Sequence, residues 1–447
     1  MREGGLDKPI RHPLDWESDS FYDEAALDAE MRRVFDVCHS CRRCFNLCDS
    51  FPQLFDLIDN SETGELDSVD SKGFQKVNDA CTLCDMCFMV SCPYVPPHEF
   101  NIDFPKLVLR SRAIDFKKGK VGPIKRLLAK TDFHGKMGSK FSSLSNWAIS
   151  HKNKFTRTVL EWIAGVHKDA HLPKYAPKTL MDLGKESMPL NEEAPAFGQK
   201  VVLYATCYGN FNDPNIGLAL RAVLALNGVE TQIAYPKCCG MPLLEEGNLA
   251  QVAQNAKDVS KEMLPWIAKG YKIIALVPSC ALMLKHEWPL LLPKDEDIKL
   301  LSQETYDLSE YIVELSKEKG LVPGLQPIEG GVSIHLPCHA RAQNIGHKAA
   351  EMLRMIPDTE IHLVERCSGH GGSWGVMKDN FPVALKQGKP VVRQMIKKKS
   401  AYIVSECPLA GEHILQGMEA EGVHYDKAPN PIEILAISYG LLESKND

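Results

Sequence analysis

Two cysteine triplets in the first hundred residues constrain this 447-residue chain more than any other feature of its sequence. Each triplet is followed by one further cysteine, giving Cys38-x2-Cys41-x2-Cys44 with Cys48, and Cys81-x2-Cys84-x2-Cys87 with Cys92. Three thiolates at this spacing can bind three irons of one cube, and the fourth cysteine of such a run commonly binds the cube of the other triplet. The pattern therefore predicts two [4Fe–4S] clusters.

Each predicted ligand set combines the three cysteines of one triplet with the single cysteine that follows the other triplet. The first ferredoxin set is Cys38, Cys41, Cys44 and Cys92, and the second ferredoxin set is Cys81, Cys84, Cys87 and Cys48. A pair of structural zinc sites is the alternative, although zinc usually takes two C-x2-C pairs. The loops depart from the bacterial run in two details, because Asp49 replaces the proline after Cys48 and four residues separate Cys87 from Cys92.

Composition places the chain among globular proteins of several domains. Hydrophobic residues make up 44% and charged residues 25%. No run approaches the ~18 apolar residues of a membrane-spanning helix. The opening residues offer no signal-peptide core, so we expect the fifteen cysteines to lie in a reducing, cytoplasmic compartment and to serve as metal ligands.

Charge is distributed unevenly along the chain. Residues 1–105 hold 9 basic and 21 acidic side chains, a net charge of −12, whereas residues 106–175 hold 16 and 4, a net charge of +12. The remaining 27 basic and 33 acidic residues give −6. Such a basic block predicts an anionic partner surface.

The basic block also carries apolar stripes at helical spacing. They are Val121, Ile124, Leu127 and Leu128; Phe141, Leu144 and Trp147; and Phe155, Val159, Trp162, Ile163 and Val166. Short helices of this kind can lie on a membrane surface, such as the inner face of the cytoplasmic membrane, without spanning it. The alternative is that the stripes pack on the protein's own core while the lysines face solvent or the acidic N-terminal part. No recognition motif accompanies the basic block, so nucleic acid is not expected as a partner.

The cysteines beyond residue 200 form a repeat. Cys207, Cys238 and Cys280 are followed by Cys338, Cys367 and Cys407 at offsets of 131, 129 and 127 residues. Each follows a short apolar run, and helical stretches lie between the runs. Strands alternating with helices predict two α/β units with parallel sheets, in which the carboxyl ends of the strands gather ligands. An internal duplication explains the repeat.

The two units offer unequal ligand sets. The first contains Cys207, Cys238, Cys239 and Cys280, which suffice for an iron–sulfur cluster or a tetrahedral zinc ion. The second has Cys338, Cys367 and Cys407, with His339 or His370 as a candidate fourth ligand. Ser368 stands where Cys239 would align. Buried, inert cysteines are the alternative for both sites.

The arrangement of triplets followed by duplicated Cys…Cys-Cys-Gly…Cys units resembles the heterodisulfide-reductase-like CCG-domain iron–sulfur oxidoreductases, and within them the C subunit of anaerobic glycerol-3-phosphate dehydrogenase. The resemblance extends to 172-LPKY-175, to Asn210, Asn212 and Pro214 after Cys207, to 335-HLPCH-339, and to the stretch from Gly369 through Trp374 to Met395. Residues 12–48 are similar to a branch linked with rubrerythrins. Family members of the heterodisulfide reductase group end each unit with C-x-x-C, where this chain has Met283 and Ala410.

The resemblance implies an iron–sulfur oxidoreductase subunit that passes electrons from a flavin dehydrogenase toward membrane quinone. A soluble relay or disulfide reductase serving a rubrerythrin-type peroxide reductase is the second hypothesis, and a zinc-binding scaffold without redox activity is the third. No G-x-G-x-x-G follows a predicted strand, so hydride chemistry is expected on a partner. The sequence indicates no catalytic acid or base.

These observations predict an α+β multidomain protein. Residues 1–105 form an all-α, two-cluster ferredoxin-like domain, and residues 106–197 form a basic amphipathic connecting segment. Residues 198–330 form the first CCG unit, and residues 331–447 form the second, degenerate CCG unit. We expect two [4Fe–4S] clusters, a third iron–sulfur cluster in the first CCG unit, and zinc or an incomplete cluster in the second.

Overall fold

The computed structural model describes residues 7–443. Its opening segment, residues 7–22, runs as a strap across parts of the molecule that are distant in sequence. The N–H of Ile10 donates to the carbonyl of Pro96 at 2.9 Å, and the N–H of Leu14 donates to the carbonyl of Leu290 at 2.9 Å. The indole N–H of Trp16 donates to the carbonyl of Leu291, also at 2.9 Å. The strap thereby ties the cysteine-triplet region to the first CCG unit.

Four helices surround the triplets. They are α1 (Glu24–Cys41), α2 (Ser50–Asp59), α3 (Phe74–Ala80) and α4 (Phe104–Lys117). The carboxylate of Asp23 caps α1 by accepting the N–H of Ala26 at 3.0 Å. The ring of Phe104 lies 4.9 Å from that of Phe51, and Leu107, Val108 and Ile114 belong to the same core cluster, so the core of this region continues past residue 105 into α4.

Short helices fill the basic segment. They are α5 (Pro123–Leu128), α6 (Thr131–Lys140), α7 (Ser142–Ile149), α8 (Lys154–Ala164) and α9 (Leu180–Leu183). Apart from Val121, Phe141 and Val166, which lie just outside them, the members of the three apolar stripes fall on α5, α7 and α8, as the helical spacing predicts. Within the described residues, no helix has the length and apolar character needed to cross a membrane.

The first CCG unit contains a parallel sheet with the strand order β2-β1-β3-β4. Its strands are β1 (Lys200–Tyr204), β2 (Glu230–Ala234), β3 (Lys272–Ala275) and β4 (Thr305–Asp307). Its helices are α10 (Cys207–Phe211), α11 (Asn215–Leu226), α12 (Met241–Glu245), α13 (Leu249–Ile267), α14 (Pro278–Leu282), α15 (Trp288–Leu291), α16 (Glu296–Gln303) and α17 (Leu308–Glu318). The central strands are almost completely buried, as expected of a parallel sheet covered on both faces.

The second CCG unit repeats this topology in a smaller parallel sheet, with the order β6-β5-β7. Its strands are β5 (Val332–His335), β6 (Ile361–Val364) and β7 (Tyr402–Ser405). Its helices are α18 (Cys338–Ala342), α19 (Lys348–Leu353), α20 (Phe381–Lys398), α21 (Pro408–Ala420) and α22 (Pro431–Ser438). The two parallel sheets confirm the predicted α/β units, and their shared order β(second)-β(first)-β(third) fits a duplication.

Shared hydrophobic cores join the parts. One core runs from α1 and α2 into the first CCG unit, with Phe35 and Phe51 in the same cluster as Val252 and Trp288. A second core lies between the two CCG units and includes Leu220 of α11 and residues of α22. These cores bring all the cysteine loops toward the interior of one assembly.

Candidate functional site

The first ferredoxin set assembles around the C-terminus of α1. Arg42 adopts a left-handed conformation with φ 50°, and its N–H donates to the carbonyl of Cys38 at 2.8 Å, which ends the helix and redirects the chain. Burial raises the pKa of the Cys38 thiol, and the thiols of Cys92, Cys44 and Cys41 raise it further. The structure therefore brings these four thiols together.

The second ferredoxin set assembles beside the first. Burial raises the pKa of Cys48, and the thiols of Cys84 and Cys81 add to that rise. Burial likewise raises the pKa of Cys87. The thiols of Cys84, Cys81, Cys48 and, from the first set, Cys44 add to that rise. Each fourth cysteine thus lies among the thiols of the other triplet, and the two sets are neighbours.

A π-helical turn accounts for the unusual spacing before Cys92. The chain forms this turn over Cys87–Ser91, and the N–H of Cys92 donates to the carbonyl of Cys87 at 2.8 Å. A π turn inserts one residue into a helical segment, and such turns are frequent at functional sites. The extra residue therefore leaves Cys92 facing the first ferredoxin set.

A buried ion network supports the second triplet. Asp85, between Cys84 and Cys87, has φ 63°. Its carboxylate accepts a bidentate hydrogen bond from the guanidinium of Arg11, at 2.8 and 2.9 Å. Arg11 also donates to Asp103 at 2.9 Å, and its guanidinium lies 4.3 Å from the ring centre of Phe88. The sequence analysis missed Arg11, since nothing near residue 11 indicates a partner 74 residues away.

The first CCG site lies at the carboxyl ends of β1, β2 and β3. Its four thiols, from Cys207, Cys238, Cys239 and Cys280, form a continuous line of contacts. Hydrogen bonds from the thiols of Cys207 and Cys239 lower the pKa of Cys238, and Cys239 also contacts Cys280. The parallel sheet thus brings together the four thiols of this site.

Helix α6 of the basic segment forms one wall of this site. The carboxylate of Asp132 accepts the N–H of Cys238 at 3.2 Å and the hydroxyl hydrogen of Tyr235. The hydroxyl of Thr131 lies beside the thiols of Cys207 and Cys238, buried and without a nitrogen or oxygen hydrogen-bond partner. The sequence analysis did not identify Thr131, Asp132 or Tyr235, because their link to the cysteines is made only by folding.

The second CCG site faces the second ferredoxin set. Burial raises the pKa of Cys338, and the thiols of Cys84, Cys367 and Cys407 raise it further. Cys367 is exposed, yet the surrounding protein atoms also raise its pKa by desolvation, as expected for a thiol on the wall of a crevice. Cys407 has Cys280 of the first CCG site among its neighbours. The second site therefore lies between the second ferredoxin set and the first CCG site.

The two histidines considered as fourth ligands differ in their surroundings. The Nδ1 of His339 is hydrogen-bonded to the hydroxyl of Ser279 at 2.8 Å, whereas its Nε2 is buried without a hydrogen-bond partner. Burial lowers the pKa of His370 to about 3, with His413 the next contributor. One ring nitrogen of His339 is therefore hydrogen-bonded to a residue of the first CCG unit. Ligand roles for both histidines stay predictions.

The donor sets fit iron–sulfur clusters chemically. Among residues 7–443, no group of three or more His, Cys, Asp or Glu side chains is arranged around a single metal ion. In each ferredoxin set and in the first CCG site, thiols of the same set nevertheless shift one another's pKa. In addition, Thr131 holds an unpartnered buried hydroxyl against two of them. Soft thiolate donors with a nearby hydrogen-bond donor are typical of iron–sulfur sites.

Comparison with known proteins identifies the repeated units. The family model of the cysteine-rich CCG domain matches residues 201–285 and again residues 332–411. These ranges include every cysteine assigned above to the two CCG sites. The repeated units are therefore CCG domains.

The curated relatives of the chain include proteins named as subunits of a dehydrogenase and of a reductase. The chain is 26% identical over 284 residues to the C subunit of the anaerobic glycerol-3-phosphate dehydrogenase of Escherichia coli (strain K12), covering 63% of this chain and 70% of that protein. It is 26% identical over 248 residues to the B subunit of the fumarate reductase (CoM/CoB) of Methanothermobacter marburgensis, covering 54% of this chain and 47% of that protein. It is 29% identical over 215 residues to the lactate utilization protein A of a Geobacillus species (strain WCH70), covering 46% and 82%.

Proposed function

The chain belongs to the CCG iron–sulfur proteins, and from this premise we propose that it is the electron-transfer subunit of an oxidoreductase. It accepts single electrons from a flavin-containing dehydrogenase, of the kind represented by the anaerobic glycerol-3-phosphate dehydrogenase, and delivers them toward membrane quinone. The clusters supply the redox chemistry, and the protein holds them in order and sets their potentials.

The order of the thiol sites is the observation that carries this proposal. Cys44 of the first ferredoxin set neighbours Cys87 of the second. Cys84 of the second set neighbours Cys338, and Cys407 neighbours Cys280. A continuous line of thiol sites, in which the second CCG site takes part only when it holds a cluster rather than zinc, supports electron relay over a single-site reaction.

The proposed cofactors are two [4Fe–4S] clusters on the ferredoxin sets and a third iron–sulfur cluster on the first CCG site. The second CCG site would hold zinc or an incomplete cluster on Cys338, Cys367 and Cys407. Protein purified without oxygen should be brown, contain inorganic sulfide, and show cluster signals in electron paramagnetic resonance on reduction. Zinc without sulfide would instead support a scaffold without redox activity.

Exposed apolar side chains on the basic segment support a membrane contact. We name this surface the apolar face, and its members are Ile124, Leu127, Phe133, Met137, Phe141, Leu144, Trp147, Phe155, Val159, Trp162 and Ile163. Phe155 is 77% exposed and Trp162 86%. Val166 of the third stripe is buried, as the core-packing alternative expects, but the other members of the second and third stripes face outward.

We propose that an anionic lipid surface, on the inner face of the cytoplasmic membrane, covers the apolar face. Arg157 and Lys106 of the surrounding basic segment are buried, but its exposed lysines, among them Lys136, Lys140 and Lys154, are complementary to anionic headgroups. Tryptophan is favoured at the headgroup level, and α5–α8 are short helices suited to lie in the interface. The membrane would thus bring the quinone pool to the protein.

Vesicle flotation tests the membrane contact. The protein should float with vesicles containing phosphatidylglycerol, less so with neutral vesicles, and less as salt is raised. Neutralising Lys136, Lys140 and Lys154 should weaken binding, since all three are exposed. Arg126 is a poor choice for this test, because its guanidinium lies 4.7 Å from the ring centre of Phe116 and neutralising it would disturb packing.

Identification of co-purified partners separates the two redox hypotheses. A flavin dehydrogenase that reduces the clusters when its substrate is added would support the first. A rubrerythrin-type protein, recovered with a chain that stays in solution at low salt, would support the soluble relay instead.

A further inference from the structure

We infer that the first CCG site is the centre at which electrons cross the apolar face, because α6 is both a wall of that site and part of that face. The inference rests on the proposed function and specifies which of the four cysteine sites meets the membrane acceptor.

The start of α6 is built into the first CCG site. Asp132 accepts the N–H of Cys238 at 3.2 Å and the hydroxyl hydrogen of Tyr235. Thr131, the residue before Asp132, has a buried hydroxyl without a hydrogen-bond partner. A donor in this position is suited to hydrogen-bond a cluster sulfur, and such bonds raise the potential of a cluster.

The rest of α6 lies flat on the helix that begins with Cys207. A Cβ atom added to Gly135 would meet the ring of Phe211 at 2.1 Å, and the hydroxyl of Ser139 donates to the carbonyl of Phe211 at 3.2 Å. Glycine and serine therefore permit close packing of α6 against α10. This contact fixes the helix over the site.

The opposite side of α6 is exposed. Phe133 is 55% exposed and Met137 is 45% exposed, and both belong to the apolar face. A helix with its side chains is about 10–12 Å across, so one helix separates the lipid-facing side chains from the first CCG site. Val166, just after the end of α8, instead pairs with Met377 of the second CCG unit.

Reoxidation of the reduced protein by a naphthoquinone dissolved in phosphatidylglycerol vesicles tests this inference. Two electrons from two reduced clusters and two protons from water convert the quinone to its hydroquinone. In Cys239→Ser, which removes a ligand of the first CCG site, reoxidation of the ferredoxin clusters by the vesicle quinone should slow at least tenfold. Their reoxidation by soluble ferricyanide should keep its wild-type rate.

Flotation separates failure of this inference from failure of the proposed membrane contact. If Cys239→Ser floats and still reoxidises at the wild-type rate, the first CCG site is not the exchange centre, and the membrane contact stands. If the wild-type protein does not float, both the membrane contact and the inference are overturned.

A milder variant keeps all four thiols and guards against misfolding. Thr131→Val should lower the midpoint potential of the first CCG cluster and leave both ferredoxin potentials unchanged, whereas Thr131→Ser should retain the wild-type value. An unchanged potential of that cluster in Thr131→Val would contradict the placement of α6 on the site.

Discussion

At the scale of single residues, folding rearranges the charges around the cysteine triplets. The sequence places Arg42 and Arg43 in the first triplet and Asp85 in the second, which predicts a more oxidising first cluster because positive charge favours the reduced state. In the structure Arg42 pairs with Asp59, and Arg11 pairs with Asp85. Both charges are therefore partly offset, and the predicted difference in potential depends mainly on Arg43.

Replacing Arg43 should consequently matter more than replacing Arg42. Burial raises the pKa of Cys44 to about 12, and the charge of Arg43 opposes that rise. The charge of Arg43 therefore acts on a thiol of the first ferredoxin set. We expect Arg43→Ala to lower the midpoint potential of that cluster in a titration followed by paramagnetic resonance. Arg42→Ala is the control, and an equal shift in it would contradict the argument.

The unequal CCG sites give a second prediction at this scale. Cys239→Ser should abolish the third cluster and spare the ferredoxin signals, because the ligand sets are separate. Cys367→Ser should leave the third cluster in place. Iron and sulfide analysis together with low-temperature spectra would measure both, and loss of the third cluster only in Cys367→Ser would reverse the assignment.

At the scale of helices, sequence periodicity predicted the apolar stripes but not what they face. An apolar stripe that packs on the protein core and an apolar stripe that contacts a membrane have the same 3.6-residue period. Helix α8 illustrates the difference, because Arg157 is its buried residue while Phe155 and Trp162 are exposed. Arg157 donates to the carbonyls of His167 and Ala170, so the side of this helix that faces the protein carries an arginine rather than the apolar stripe.

The exposed side of α8 should dominate vesicle binding. The double change Phe155→Ser, Trp162→Ser should reduce flotation with anionic vesicles at least tenfold, because it removes two large interfacial side chains. Folding stability should change by less than about 0.5 kcal/mol, as expected for exposed positions. Leu300→Ser, at an exposed leucine of α16, is the matched control and should bind as the wild type does.

At the scale of the whole molecule, the strap and its arginine join regions that local sequence reasoning treats separately. Arg11 is buried among Asp85, Asp103 and Glu287. Removing one partner from a buried ion network leaves uncompensated charge, which costs about 3–5 kcal/mol. Arg11 therefore contributes to the integrity of both the second triplet and the first CCG unit.

We expect Arg11→Met to lower the free energy of unfolding of the metal-free protein by about 3–5 kcal/mol. Lys299→Met, which removes an exposed pair with Glu296, should cost about 0–1 kcal/mol. Urea unfolding followed by circular dichroism would measure both. Equal effects of the two changes would show that the buried network is not stabilising.

Sequence reasoning succeeded where the chemistry is local and periodic. The strands before Cys207 and Cys338 could be read along the chain, whereas the crossing of Cys48 and Cys92 between the triplets stays a prediction. Sequence reasoning failed where contacts join distant segments, as with Thr131 beside Cys238. The reason is physical, because a contact between residues far apart in the sequence leaves no periodic trace in either segment.

The strap also has a consequence for biosynthesis. Trp16 emerges early from the ribosome, yet the carbonyl it binds belongs to Leu291, 275 residues later. Cys92, the last cysteine of the triplet region, precedes Leu291 by 199 residues, and at about 5–20 residues per second that interval lasts roughly 10 to 40 seconds. During this time the triplets are already synthesised, but Leu14 and Trp16 of the strap lack their partners in the first CCG unit. The cell therefore has a defined window in which iron and sulfide can be delivered to the open loops before the finished chain folds over them.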